Sequence, residues 1–145
     1  MIQYSTKSIA LTASALLLLS TLPGLADGEV KVSLIGERME KMGMKLDTDT
    51  VKAGTVSFEV TNDAMKTGHE MILVKLASKD QELKVVPATN RIDENTITSL
   101  GEVSDLKPGA HGSLKAQLVE GDYVLICNIK GHYQAGMYAK LTVTK

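Results

Sequence analysis

Apolar and polar residues alternate with period two at four places along the chain. Val30, Val32 and Leu34 form one such run, and Val56, Phe58 and Val60 a second. Leu114, Ala116 and Leu118 form a third, and Ala139, Leu141 and Val143 a fourth. This period predicts strands with one buried face. Residues 69–76 and 123–127 are more continuously apolar, which predicts strands buried more deeply. Turn-forming residues separate the runs: Lys52-Ala53-Gly54, Asn62-Asp63, Lys107-Pro108-Gly109 and Glu120-Gly121-Asp122. The pattern predicts an all-β chain folded as an antiparallel Greek-key sandwich or barrel. Residues 79–105 break the rhythm. They are polar and weakly patterned, and read as a long crossover between two sheets, with a short helix around residues 93–100. There is no repeat, low-complexity stretch or second domain.

The N-terminus follows another logic. Lys7 precedes an apolar run over residues 9–19 that ends in four consecutive leucines, and Pro23-Gly24-Leu25-Ala26 supplies small residues. This reads as a secretory signal peptide cleaved after Ala26. The run falls short of the roughly 20 residues that a spanning helix needs. No cysteine follows it, so a lipid anchor is not expected. Residues 1–26 are therefore assigned as leader and residues 27–145 as a single domain. That domain is expected in the periplasm, without stable membrane insertion after cleavage.

Composition narrows the picture. Apolar residues make up 43% and charged ones 23%, as in a soluble globular protein, and the formal charge is -1. Such a balance gives no electrostatic reason to expect nucleic acid as a partner. With one Phe and no Trp, the core must be aliphatic and methionine-rich. The single cysteine excludes an intrachain disulfide. In an exported chain an unpaired thiol calls for a reason.

Residues 127–137 supply one. Cys127, His132 and Met137 stand in a C-x4-H-x4-M arrangement between the last two predicted strands. A short loop between paired strands brings its ends and middle together, so thiolate, imidazole and thioether converge on one point. Gly131 and Gly136 give the loop backbone freedom beside His132 and Met137. His69 heads another apolar strand, and a Greek-key sandwich can set that strand end beside Cys127. Two imidazoles, a thiolate and a weak thioether suit copper in a one-electron site. Zinc has little use for the thioether. Read residue by residue, Cys127 and Met137 are also plausible core side chains, and a lone loop histidine is commonly just solvated.

The segment resembles the copper-ligand loop of the cupredoxins, the small blue copper proteins. The similarity extends through Thr55-Val-Ser-Phe-Glu-Val-Thr-Asn62, Gly68-His69-Glu70, Lys107-Pro-Gly109 and Gly121-Asp-Tyr-Val-Leu-Ile-Cys127, in the family's order. It covers most of the chain from about Val30 to Lys145. The loop spacing is more similar to auracyanin and rusticyanin than to plastocyanin. The resemblance implies one copper per chain, held by His69, Cys127, His132 and Met137. Two departures stand out. Glu70 occupies the position where many cupredoxins carry an Asn that ties the two ligand segments, and Asn128 follows the ligand cysteine. Asn62 or Asn128 is expected to supply part of that bonding. Glu70, one position along a strand from His69, should point away from the metal.

The function implied is single-electron transfer between transient redox protein partners by Cu(I)/Cu(II) cycling, in a monomer. An enzyme is not expected, because protein groups fill all four coordination positions. The electron's exit is expected at His132, through a small apolar patch with Ala135 and Tyr133. The alternative is periplasmic copper storage or delivery, with Met39, Met42 and Met44 binding a second Cu(I). Those methionines read more readily as core filling in a chain short of aromatics. His111, in a turn, is expected to be solvated.

Overall fold

A computed structural model describes residues 26–145 of the chain. The leader assigned to residues 1–26 lies outside the described residues apart from Ala26. The strands are β1 (Gly28–Glu37), β2 (Glu40–Leu46), β3 (Thr50–Lys52), β4 (Gly54–Asn62), β5 (His69–Lys75), β6 (Val85–Val86), β7 (Arg91–Ile92), β8 (Thr98–Leu106), β9 (His111–Leu118), β10 (Gly121–Ile126) and β11 (Tyr138–Thr144). They form a four-stranded sheet in the order β2-β1-β4-β9 and a five-stranded sheet in the order β3-β11-β10-β5-β8. The strands β6 and β7 pair separately. The two large sheets pack as a sandwich and do not close into a barrel.

Both sheets are mixed. The pairs β1–β4 and β3–β11 run parallel, and the other ladders are antiparallel. Parallel neighbours close in sequence must be joined through the opposite sheet or by a detour, which gives the Greek-key crossing. The alternating runs face inward as predicted: Val30, Val32, Leu34, Val56, Phe58, Val60, Ala116, Leu118, Leu141 and Val143 are all buried.

The continuously apolar runs have a different cause. Strands β5 and β10 pair in the middle of the five-stranded sheet, with Leu125 opposite Leu73 and Ile126 opposite Ile72. Met71, Leu73, Tyr123 and Leu125 face the core between the sheets. Ile72, Val74, Val124 and Ile126 face outward, yet they are also buried, in a second cluster with Leu76, Leu83 and Ile92. Val85, Ile97 and Tyr133 pack against it. A strand covered on both faces has no polar side to show in its sequence.

That cover comes from residues 79–105, and here two expectations are corrected. The short helix around residues 93–100 is only a single 3-10 turn, Glu94–Thr96, capped by Asp93. The chain then runs extended as β8, because Thr96-Ile97-Thr98 is β-branched and stiff against helical packing. The segment also does not cross between the sheets. It leaves β5, folds over the outer face, and returns to the same sheet as β8, next to β5. The crossing to the other sheet falls to the short turn at residues 107–110.

A sheet buried on both faces makes a checkable demand. Ile72→Ala, on the outer side, should lose about 3 kcal/mol in denaturant unfolding, as much as Leu73→Ala on the inner side. A loss below about 1 kcal/mol for Ile72→Ala would mean that the outer face is not packed.

Candidate metal centre

His69 is the first residue of β5, and Cys127 follows the last residue of β10. Both have the parity of the inward-facing Met71, Leu73 and Leu125, so two adjacent strands deliver them to the same end of the core. Residues 128–137 then fold back through their own backbone. The His132 amide donates to Ile129 carbonyl at 2.9 Å, Ala135 amide to Gly131 carbonyl at 3.0 Å, and Met137 amide to His132 carbonyl at 3.0 Å. Cys127 amide donates to Met137 carbonyl at 3.1 Å, which closes the loop.

His69, Cys127 and His132 are brought together, all buried, with their ligating atoms within 4.8 Å of one another. Cys127 Sγ lies 3.3 Å from His132 Nδ1, which lies 3.4 Å from His69 Nδ1. Met137 is fully buried in the same cluster as Cys127. His69 Nε2 donates to the Gly36 carbonyl at 3.1 Å. That bond fixes the tautomer and turns the Nδ1 lone pair toward the sulfur. His132 Nε2 has no partner, while Asn90 Oδ1 is the one buried side-chain polar atom without one among the described residues. The Nε2 edge of His132 therefore meets solvent.

Gly36 was not singled out from sequence, although it interrupts the alternation of β1. It sits at +119° in φ where the β1–β2 register shifts, and an added Cβ would lie 2.7 Å from the Met42 Cα. Only glycine lets the bulge form and aim its carbonyl at His69. Next to it, the Glu37 carboxylate accepts from the amides of Met65 and Lys66 and, at 2.7 Å, from the Thr67 hydroxyl. Those hydrogen bonds, Thr67's first, hold its pKa below the usual carboxylate value. Asn62 fastens the same loop from the other side, donating to the carbonyls of Thr67 at 2.9 Å and Leu106 at 2.8 Å.

Glu70 and Asn128 account for the two departures in the ligand segments. Glu70 points away from the metal side, as its strand parity requires, and its carboxylate accepts from the Asn128 amide at 2.9 Å. It thus ties the His69 strand to the residue after Cys127. The Asn128 side chain is buried and turned outward. It accepts from the Ile92 amide at 2.7 Å and donates to the Ile92 carbonyl at 3.0 Å and to Glu94 at 2.8 Å. The cover over the outer sheet face is thereby clamped to the ligand loop.

Other sequence-derived candidates resolve differently. Met42 and Met44 are core residues, while Met39 is half exposed at the β1–β2 turn. The three do not present a common thioether surface. His111 is exposed, with Nδ1 2.9 Å from the Thr61 hydroxyl. Tyr133 packs over the outer cluster and against Tyr138, with ring centroids 5.2 Å apart, so it does not line an apolar patch at His132. Among the described residues, the exposed large apolar side chains at that end are Met39 and Met65.

Burial dominates the electrostatics. It pushes the Cys127 thiol up to about 11, against the opposing pull of the Glu70 and Ile129 amides. Burial also lowers the pKa of both His69 and His132. Glu70 is raised, again by burial, with the Asn128 amide opposing. At neutral pH the site therefore offers two neutral imidazoles and a protonated thiol.

The sulfocyanin (SoxE) domain model matches residues 50–145, two thirds of the chain and the whole ligand region. The chain belongs to the sulfocyanin family. No curated protein sequence matches it. Among solved structures it is similar in fold to a dithionite-reduced auracyanin from the photosynthetic bacterium Roseiflexus castenholzii, at 20% identity and a TM-score of 0.59, covering 84% of this chain and 100% of that one. It is also similar to reduced rusticyanin, at 16% identity and a TM-score of 0.61, covering 83% and 82%. Auracyanin A of Chloroflexus aurantiacus, described as a "blue" copper protein, matches at 22% identity and a TM-score of 0.55, covering 80% and 98%. These likenesses bear out the cupredoxin-like fold. The donors of this sulfocyanin domain, a thiol and two imidazole nitrogens converging in a buried pocket, fit one copper ion.

The Glu70 tie can be tested without metal. Glu70→Ala should lower the unfolding free energy of the apo-protein by about 2 kcal/mol, because the partly buried Asn128 amide loses its acceptor. Glu70→Gln, which keeps an acceptor oxygen, should recover at least half of that loss in the same denaturant titration.

Proposed function

We propose that the chain is a mononuclear type 1 copper protein that carries single electrons between redox partners. The observation that carries this reading is the convergence of Cys127, His69 and His132 in a buried, hydrogen-bonded pocket beside Met137. Copper bound there supplies a one-electron couple between Cu(I) and Cu(II). The protein's part is to hold the donors nearly fixed in both states. The loop bonds of residues 127–137, the Gly36 carbonyl on His69 and the Glu70–Asn128 tie resist the geometric change that each oxidation state favours. His69, Cys127, His132 and Met137 are the proposed ligands. With all four positions taken by protein, no position is open to a substrate, so we assign no enzymatic activity. The solvent-facing edge of His132 is the proposed exit for the electron.

The protein is proposed to work after export, in the periplasm, as a monomer that meets its partners transiently. The leader pattern supports export. No helix among the described residues is long and apolar enough to cross a membrane. Copper storage or delivery rested on three methionines acting together, and the burial of Met42 and Met44 removes that support.

Titration of the domain with Cu(II) should give an intense visible thiolate-to-copper band that saturates at one equivalent and bleaches reversibly with ascorbate. Cys127→Ala and His132→Ala should each abolish it. An unchanged band in either variant would overturn the ligand assignment.

Proton release gives an independent check. Both imidazoles are already neutral at pH 7.5, so binding should release about one proton per copper, from Cys127. Apparent affinity should rise about tenfold per pH unit from there until the thiol ionises by itself near its folded-state value of about 11. Calorimetry in buffers of different ionisation enthalpy reads the proton count directly. Release of two or more protons would show that an imidazole is charged before copper binds.

A further inference from the structure

A two-residue connection between antiparallel strands favours Asn-Gly, because both of its central residues must take positive φ. The β1–β2 connection breaks that rule. Glu37 pairs with Glu40, and between them stand Arg38 at +47° and Met39 at +69° in φ. Asn90, in the turn between β6 and β7, lies at +54°. Left-handed backbone is tolerable for Asn but unfavourable for Arg and Met. Such a conflict persists only where the surroundings impose it, and it is commonest at functional sites.

The surroundings here meet at Gly131, the residue before His132. A Cβ on Gly131 would stand 2.7 Å from Met39 Cε, 3.5 Å from Met39 Sδ and 3.4 Å from Asn90 Nδ2. The Gly131 amide also donates to the Asn90 carbonyl at 2.8 Å. One turn belongs to the four-stranded sheet and the other to the cover over the five-stranded sheet. Two distant parts of the chain thus close on a single residue of the ligand loop. The β1–β2 turn is itself fastened from below. The Arg38 amide donates to Thr67 Oγ1 at 3.3 Å, and the Glu37 carboxylate accepts from the Met65 and Lys66 amides. Met39 is 49% exposed, so half of it is covered although it sits at a hairpin tip. Beneath the loop, His69 and Cys127 are fully buried. A reagent or an exchanging ion reaches the sulfur only when the structure around it opens locally.

We infer that Met39 is a positioning residue for the ligand loop: laid over Gly131 beside Asn90, its side chain keeps the loop closed and slows exchange of the metal. The inference rests on the copper reading and adds what governs how long the ion stays. It also accounts for the strained turn. Glycine at position 39 would suit the backbone and leave the loop uncovered.

Strain and cover can be separated, because local opening of residues 128–137 leaves the β1–β2 turn intact. Met39→Gly relieves the backbone and removes the cover, while Arg38→Asn relieves the backbone and keeps the cover. In denaturant titration of the apo-protein, the Met39→Gly midpoint should stay close to wild type, since the relieved backbone offsets the lost contact. The Arg38→Asn midpoint should rise. Half-burying a methionine is worth about a factor of ten in an opening equilibrium. Iodoacetamide labelling of Cys127 at pH 8.5, read by intact mass, should therefore be about tenfold faster in Met39→Gly and unchanged in Arg38→Asn. Met39→Leu, which restores an apolar side chain, should label within about twofold of wild type. Unchanged labelling in Met39→Gly, or a rise matched by an equal fall in global stability, would overturn the proposal. Equally fast labelling in Arg38→Asn would do the same.

The copper-loaded protein gives a second readout. Reduced to Cu(I) and mixed with excess bathocuproine disulfonate, Met39→Gly should lose its metal about tenfold faster than wild type. An unchanged rate of loss would overturn the role in metal exchange and leave the copper reading standing. Absence of the visible band would sink the copper reading instead, and labelling of the apo-protein would then decide the role of Met39.

Discussion

Strands β5 and β10 lie side by side in the middle of the five-stranded sheet, and their antiparallel register constrains most of what surrounds them. Side chains alternate across a strand, so one register choice decides which face every residue serves. With Leu125 opposite Leu73, the inward set includes His69 and Cys127, and the outward set includes Glu70 and Asn128. A slip by one residue would send the thiol outward and bring the carboxylate in. The apolar residues of both faces oppose that slip, because each face is buried and neither tolerates exchange. The donor geometry is therefore held by hydrophobic burial, with hydrogen bonds making the fine adjustment.

Those hydrogen bonds come from unusually distant parts of the chain. Gly36 orients His69 from the first strand, Asn62 and Glu37 hold the loop before it, and Asn128 binds the cover over the outer face. The buried polar groups involved would be costly if left alone in an apolar surrounding. Each is instead paired within the protein, so the pocket is built before any metal arrives. Such a pocket binds its ion without reorganising, which also suits a site that must exchange an electron with little movement.

The sheet positions were legible in the sequence wherever a strand had one wet face, as at Val30, Val32 and Leu34. They were legible for β5 and β10 through the absence of alternation. The ligand set was legible because its residues are chemically rare in this chain, which has one cysteine and three histidines. The stretch after β5 was misread for a physical reason. Its strands are two residues long or lie at a sheet edge, so no run is long enough to show a period. The role of Gly36 was hidden because its contribution is a carbonyl oxygen, which every residue possesses. Tyr133 was misassigned because adjacency to His132 in sequence says nothing about direction in a folded loop, and its ring turns to the opposite side of the sheet.

The buried thiol of Cys127 bears on how the chain survives before it holds a metal. Thiolates, not thiols, attack disulfides and react readily with peroxides. With burial holding its pKa at about 11, less than about one in a thousand copies of Cys127 is ionised at neutral pH. The side chain is also closed off from large oxidants by the sheets and the ligand loop. The apo-protein can thus wait in oxidising surroundings with its only cysteine intact. The environment that makes copper binding cost a proton also preserves the sulfur on which that binding depends.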